Sequence, residues 1–499
     1  MSIKNVCVIG AGRMGRQIGL CAAIYGYDVT LFDAQAEVLE DVKRWEEEYL
    51  AGRIAKKRMT EEQVAGIKER FRPLAEMKAA CENADLVIEA IYEDEDAKHA
   101  VFRQISEFIR DDTIVATNSS VMVSSIFKDD VKNPARLCNM HFYNPVLVMK
   151  FVEVVQGPHT SEETGKEAYE FCLSMGKTPV LQKKELRGYL GNLIIGKINR
   201  TSNEFYAYGY GTYQEADMIQ ERIFGRKKGT FHLMDMSLSL SYMRNKLAFE
   251  KDGTKNMLYD LVKNTYEAGR HGVVNGHGFY DYEPPYTVKM FRDRSDKNPD
   301  AKEIKSVLVV GGRRAEEIAE ALKAAGVKVR YRAYDGKLPL PGKADLILED
   351  IGGTLEEKKA FYKALSEKVP ADTILASNDY EIISSKLADA VNNPERFMSA
   401  HFAPGGDGKV VEIVMNEKTG KDAAGALYDL CLKAELCPVW QQKEIPEYGY
   451  LSRHFIQAMK DSEEFLVSGG YCERKDIDVC LLNGIGFTCG YDELLARAR

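Results

Sequence analysis

The stretch VCVIGAGRMGRQIGLCAAIYGYDVTLFD, residues 6–33, changes hydrophobic rhythm twice. A continuous run of strand formers gives way to apolar positions at helical spacing, and then to a second strand-like run, which predicts strand, turn, helix, strand. The alternation resumes with ADLVIEAI, a helix from Lys98, and TIVATNSS. Strands alternating with helices predict an α/β domain with a doubly wound, mostly parallel sheet. Between the two parts lies VLEDVKRWEEEYLAGRIAKKRMTEEQVAGIKERF. Here Tyr49, Leu50, Ile54, Met59, Val64 and Ile67 can line one side of a two-helix excursion over about residues 36–80, and TEEQ from Thr60 supplies a capping signal for its second helix.

The turn after the first strand carries Gly10, Gly12 and Gly15 as GxGxxG. Such glycines permit a tight turn, close approach of backbone amides to a pyrophosphate, and close packing of helix on strand. Asp33 ends the next strand, where a carboxylate can accept from ribose hydroxyls and repel a 2′-phosphate, which favours NAD over NADP. Arg13 and Met14 lie in the same turn and are placed beside the cofactor; Arg13 leaves some room for NADP.

Composition narrows the partners. With 499 residues the chain exceeds one core and divides into roughly three or four domains. A net charge of −8 disfavours nucleic acid, although KKR, with Lys56 and Lys57, can meet an anionic ligand. No apolar run reaches the length of about 20 residues needed to span a bilayer, and MSIKNVCVIGAG has no cleavage signature, so a cytoplasmic chain without membrane contact is expected. The ten cysteines form no CxxC pair or ligand cluster and are expected as reduced thiols, with no metal.

Chemistry is suggested by three phrases at expected strand ends: ATNSS with Asn118 and Ser120, MHFYNPV with His141, and VEVV with Glu153. Oxidising a secondary alcohol needs a base of neutral pKa for the hydroxyl proton, and a buried glutamate on the other ring nitrogen would hold the tautomer. Ser120, Asn118 and a later amide could hold the substrate oxygen. No regular element joins His141 to Glu153 in the sequence, so their convergence is an expectation.

VIGAGRMG, LVIEAI, ATNSS, MHFYNPVLVMKFVEVV, GYLGN and AGRHGVVNGHGFYDY, in this order over about residues 1 to 290, resemble the L-3-hydroxyacyl-CoA dehydrogenase family. The resemblance implies that His141 is the general base and Glu153 its partner, and that Ser120 and Asn192 bind the substrate oxygens. It also implies that Gly10, Gly12, Gly15, Asp33, Glu93 and Lys98 neighbour NAD, and that the helical excursion, with Lys56 and Lys57, holds the CoA moiety. The family's helical second domain, through which it dimerises, implies a homodimer. The chain departs from the family's GFPMGP-type phrase with FGRKKGTFHLMD. There Arg226, Lys227 and Lys228 read as solvated charges, or else as favouring an acidic acyl group or CoA phosphates.

From Lys305 the chain starts over. VLVVGGRRAEEIAEALKAAGVKVRYRA, ADLILEDIGGTLEEKK and NNPERFMSAHF parallel the first half, which marks an internal duplication. Gly12 and Gly15 align with Arg313 and Glu316, and Asp33 with Ala333, so the second copy is not expected to bind a dinucleotide in the usual way. It also lacks the helical excursion, and Ser120 and Asn192 align with Tyr380 and Arg453. His401 and Glu412 then read as a buried hydrogen-bonded structural pair.

The expected architecture is a Rossmann-type doubly wound domain over 1–186, an all-α substrate and dimerisation domain over 187–291, a degenerate Rossmann-like repeat over 304–445, and a shortened helical domain over 446–499. RDRSDKNPDAKE from Arg292 is the expected linker. The expected activity is interconversion of L-3-hydroxyacyl-CoA and 3-oxoacyl-CoA, short-chain or dicarboxylic. Two rivals stay open: a dehydrogenase of a small free hydroxy acid, as in relatives resembling gulonate or carnitine dehydrogenases, and a nucleotide-binding scaffold without catalysis.

Overall fold

The computed structural model describes residues 3–283, 287–288, 301–337, 342–406 and 408–498. Most of the expected linker, from Arg292, lies outside the described residues. Contacts gather into two compact units, Met1–Ile195 with Asp461–Gly486, and Gly196–Lys460 with Phe487–Arg499.

The first unit is built on β1 (Asn5–Ile9), β2 (Asp28–Phe32), β3 (Phe71–Leu74), β4 (Leu86–Glu89), β5 (Ile114–Thr117), β6 (Leu137–Phe142), β7 (Phe151–Val155) and β8 (Thr178–Gln182), in sheet order β3-β2-β1-β4-β5-β6-β7-β8. All neighbours are parallel except β6 and β7. Strands β4 to β7 are buried along their whole length, as expected of a sheet covered on both faces. The strand order reverses between β1 and β4, so the crevice at their carboxyl ends is where such a sheet takes a ligand. The helix expected from Lys98 begins three residues earlier, at Glu95, because the Asp94 side chain caps the Ala97 amide.

The helical excursion is present as α2 (Ala36–Ala55) and α3 (Glu61–Arg70), and the capping box of Thr60 and Gln63 forms as its sequence predicts. Leu39, Val42, Leu50, Val64 and Ile67 are buried in the core cluster of the sheet, with Trp45, Tyr49, Ile54 and Met59 packed against it. The expected extent of 36–80 is too long. Phe71–Leu74 returns as β3, an edge strand parallel to β2, where Pro73 is tolerated because an edge leaves one side of the backbone unpaired.

One buried acid in α2 makes the arm pH-sensitive. Glu46 is only 6% exposed, and its Oε1 has no hydrogen-bond partner among the described residues. Burial first, and then Glu47, push its carboxyl up to about 7 against the opposing Lys68. A raised acid stabilises the fold fully below its ordinary value of 4.5 and loses that contribution as pH rises through about 7. Thermal melts should therefore show wild type losing more Tm between pH 5.5 and 8 than Glu46→Gln; parallel losses would reject this account.

The second unit holds helices Tyr213–Met218, Thr230–Asp235, Leu238–Asp252 and Tyr259–Glu267, and a short pair, β9 (Tyr282–Glu283) with β10 (Thr287–Val288). Its sheet consists of β11 (Ser306–Gly311), β12 (Lys328–Ala333), β13 (Leu346–Asp350), β14 (Ile374–Ser377), β15 (Phe397–Phe402), β16 (Val410–Val414) and β17 (Cys437–Gln441), ordered β12-β11-β13-β14-β15-β16-β17. This is the first sheet without β3 and the arm, with the same antiparallel step, now between β15 and β16.

The structure corrects the alignment of the two turns by one residue. Gly12 caps α1 (Arg13–Ile24), and Gly312 caps helix Arg313–Lys323, so Gly312 rather than Arg313 stands for Gly12, and Ala315 rather than Glu316 for Gly15. The second turn is one residue shorter, which sequence matching alone spreads over the helix. Ala333 still ends β12 where the first copy offers Asp33.

Candidate active site

Each glycine of the first turn has its own geometric reason. Gly10 has φ +99°, and a Cβ there would lie 2.7 Å from the Ala90 carbonyl oxygen. A Cβ on Gly15 would fall on the Gly10 carbonyl oxygen, and this is how α1 packs tightly onto β1. A Cβ on Gly12 would meet nothing within 4 Å, and no side chain caps the α1 amino terminus. The first-turn amides thus remain available to a pyrophosphate, with the helix dipole favouring the negative charge. Asp33 Oδ2 accepts from the Ala11 amide at 2.9 Å and Oδ1 from the Gln35 amide at 3.0 Å, so the carboxylate is fixed beside the turn. Arg13 is exposed and Met14 half-buried. These residues fit a dinucleotide.

Glu93 sits where the β4 and β5 loops meet. It accepts from the Ser119 hydroxyl and, at 3.1 Å, from the Ser120 amide. Asn192 Nδ2 approaches the Ser120 carbonyl oxygen at 3.4 Å, so Glu93, Ser120 and Asn192 lie together. Asn118 uses its Oδ1 to hold the Phe142 amide at 2.9 Å and thereby ties the β5 loop to β6. Lys98 is buried in the first turn of helix Glu95–Phe108. It is 1% exposed, and its ammonium lies 2.5 Å from Glu89 and 3.3 Å from Glu93. Lys358 makes the same kind of contact with Glu349 and Asp379 in the second copy, which marks this lysine as a brace of the fold. Lys56 and Lys57 are exposed at the end of α2.

His141 and Glu153 face each other directly across the β6–β7 ladder. That antiparallel pairing is the element the sequence left open, and it places their side chains on one face as cross-strand neighbours. His141 Nδ1 and Glu153 Oε2 are 2.7 Å apart, with the carboxylate fully buried. Glu153 has two further donors that the sequence reading missed: the Tyr143 hydroxyl at 3.2 Å and the Gly191 amide at 2.8 Å. Tyr189, also missed, has its ring tilted 44° and centred 5.3 Å from the imidazole, and it accepts from Asn139 while donating to the Met122 carbonyl. Burial, followed by the charge of Glu153, pushes both phenols well up, so they remain neutral donors. The one available sequence signal was Gly191, a glycine inside a helix (Tyr189–Ala207), which costs stability unless something packs closely against it.

The second copy breaks the pair without replacing either residue. His401 and Glu412 are again register partners. Ser452, at the position of Gly191, gives Glu412 both its hydroxyl and its amide. His401 Nδ1 has no hydrogen-bond partner among the described residues, while Nε2 bonds the Ala498 carbonyl at 2.7 Å. Burial holds the imidazole down to about 4 and raises Glu412 to about 7. The expected His–Glu hydrogen bond is therefore absent, because a nearer hydroxyl takes the carboxylate.

The departing FGRKKGTFHLMD phrase also needs revision. Lys227 is exposed, but Arg226 is 1% exposed, with Nη1 bonded to Asn199 and Gln220. Its desolvation, partly offset by Asp217 and Glu221, lowers the guanidinium to about 10, so Arg226 is not a solvated charge.

The family model described as 3-hydroxyacyl-CoA dehydrogenase, NAD binding domain, matches residues 5–185 and again 306–445. A 3-hydroxybutyryl-CoA dehydrogenase from Escherichia coli K12 shares the fold over 99% of this chain and 93% of its own, at 21% identity and TM-score 0.68. The (S)-3-hydroxybutyryl-CoA dehydrogenase from Ralstonia eutropha is 25% identical over 56% of this chain and 100% of its own, with TM-score 0.50. A diketoreductase is 26% identical over the same shares, with TM-score 0.51. Among the described residues no helix is long and apolar enough to cross a membrane.

Proposed function

Since the chain belongs to the 3-hydroxyacyl-CoA dehydrogenase family and is an NAD-dependent dehydrogenase, we propose that its first copy interconverts short-chain L-3-hydroxyacyl-CoA and 3-oxoacyl-CoA with His141 as the proton-transfer group. The observation that carries this reading is the saturated Glu153 carboxylate. With Nδ1 committed to Glu153, the imidazole nitrogen left for a substrate is Nε2, which makes no hydrogen bond among the described residues.

NAD, when bound along the Gly10–Gly15 turn and Asp33, supplies the hydride acceptor. The protein's own part is to take the hydroxyl proton onto His141 Nε2 while Glu153 stabilises the imidazolium and fixes its tautomer. Tyr143 donates to the same carboxylate oxygen, Oε2, that meets His141, and the Gly191 amide holds the other, Oε1. Ser120 and Asn192, joined through the Ser120 carbonyl, orient the substrate oxygen. In the reductive direction the same imidazolium returns the proton.

A second reading, reduction of a free dicarbonyl acid, is favoured by the likeness to the diketoreductase. NADH absorbance separates them. Acetoacetyl-CoA should be reduced with a kcat/KM about 10²-fold above that of free acetoacetate, since binding energy from the remote CoA is available to the transition state. Equal values would reject the CoA reading.

A further inference from the structure

The segment Asp461–Gly486 follows the second repeat in the chain, yet it folds with the first unit. Its helix Arg474–Asn483 packs on β7 and β8, the strands behind the His–Glu pair. Lys184, just after β8, anchors the segment by donating to the Gly469 carbonyl at 3.1 Å and lying 4.5 Å over the Tyr471 ring.

Two residues of this segment reach the layer that holds Glu153. Cys480 is fully buried, and its Sγ lies 3.4 Å from where a Cβ on Gly191 would be, a position that also collides with Tyr143 Oη. A Cβ on Gly484 would lie 2.6 Å from Phe151 Cδ1 and 2.9 Å from the Cys480 carbonyl oxygen. The Phe151 ring packs 5.1 Å from that of Tyr143, and Tyr143 packs 4.9 Å from His141. A continuous set of close contacts thus runs from Gly484 through Phe151 and Tyr143 to the catalytic carboxylate. The second copy supplies an internal control: with Ala403 for Tyr143 and Ser452 for Gly191, the carboxylate leaves its histidine.

We propose that helix Arg474–Asn483 is a positioning floor for the His141–Glu153 pair, with Cys480 and Gly484 as positioning residues that keep the Tyr143 hydroxyl on Glu153. This rests on the reading of His141 as the base. It also gives the degenerate half a working role, because its tail completes the site of the intact half.

The titratable groups facing the His141–Glu153 pair are Tyr143, Tyr189 and Cys480, and they make the pH profile of kcat/KM informative. Removing the Tyr143 donor leaves more negative charge for His141, so the imidazole keeps its proton to higher pH and the acid limb moves upward. Full-length Tyr143→Phe should raise that limb by about one pH unit, the size of one hydrogen bond to a charged group. Gly484→Ala, which pushes Phe151 into Tyr143, should reproduce at least about half of this shift and lower kcat about tenfold, with the NADH dissociation constant unchanged. Cys480→Ala, which removes the support without adding bulk, should shift the limb the same way, and Cys480→Ser should restore it. Folded Gly484→Ala and Cys480→Ala proteins with the wild-type limb and kcat would overturn the inference. Should Gly484→Ala not fold, the Cys480→Ala and Cys480→Ser pair decides alone. His141→Gln separates the two readings: ordinary turnover there sinks the base assignment, whereas an inert His141→Gln beside unmoved floor variants sinks this inference only.

Discussion

His141→Gln should lower kcat for acetoacetyl-CoA reduction by about 10² to 10⁴ while leaving the NADH dissociation constant within about twofold of wild type. Glutamine can keep a hydrogen bond to Glu153 but cannot carry a proton between pH 5 and 9. The loss therefore isolates proton transfer from packing. Its expected size is that of a positioned general acid or base, and it falls on kcat because the imidazole meets the substrate oxygen only as the proton moves. Stopped-flow turnover together with NADH fluorescence titration checks both halves. Near-normal kcat would remove His141 from the reaction, and a lost NADH affinity would mean that the substitution acts on the fold.

Gly12→Ala and Gly15→Ala should fail in opposite ways. At Gly15 the added methyl meets the Gly10 carbonyl, with its carbon at 3.0 Å and Val8 Cγ1 at 3.3 Å, and backbone cannot swing aside as a side chain can. The cost should be about 3 kcal/mol or more, seen as a large drop in Tm or as insoluble protein. At Gly12 the methyl enters open space at a backbone conformation of φ −66°, which alanine adopts freely. The fold should therefore keep its Tm while the NADH dissociation constant rises about tenfold, because the methyl occupies ground that a pyrophosphate approaches closely. Calorimetry and titration on the same samples distinguish them. A Gly12→Ala protein that binds NADH normally would show that the turn does not hold the cofactor's phosphates.

Local rhythm carried most of the architecture. The change from strand to helical spacing at Gly10–Arg13 located β1 and α1, Thr60 located α3, and the second appearance of the same phrases located the second sheet. What was hidden depended on pairing between segments. Phe71–Leu74 is four residues with a proline, and only its place beside β2 makes it a strand. His141 and Glu153 could be singled out as candidates, whereas the antiparallel ladder that joins them could not be seen, since strand direction leaves no periodic mark. Resemblance alone places Lys98 beside the cofactor, and its burial against Glu89 and Glu93 is a matter of packing that sequence does not display. Tyr143 and Gly191 escaped for a related reason: one reads as an ordinary aromatic, the other as a helix defect, until both are found on the same carboxylate. The departures of the second copy at Tyr380 and Arg453 are visible in the sequence, but the route by which its histidine is disengaged from Glu412, one serine hydroxyl at 452, is a matter of distance.

Because the first unit draws on both ends of the chain, its assembly has a built-in delay during synthesis. After Ile195 leaves the ribosome, roughly 265 more residues must follow before Asp461 emerges, about 15 to 50 s at ordinary elongation rates. Through that interval the outer face of β7 and β8 waits uncovered, and the nascent dehydrogenase is a finished sheet without the last piece of its first unit.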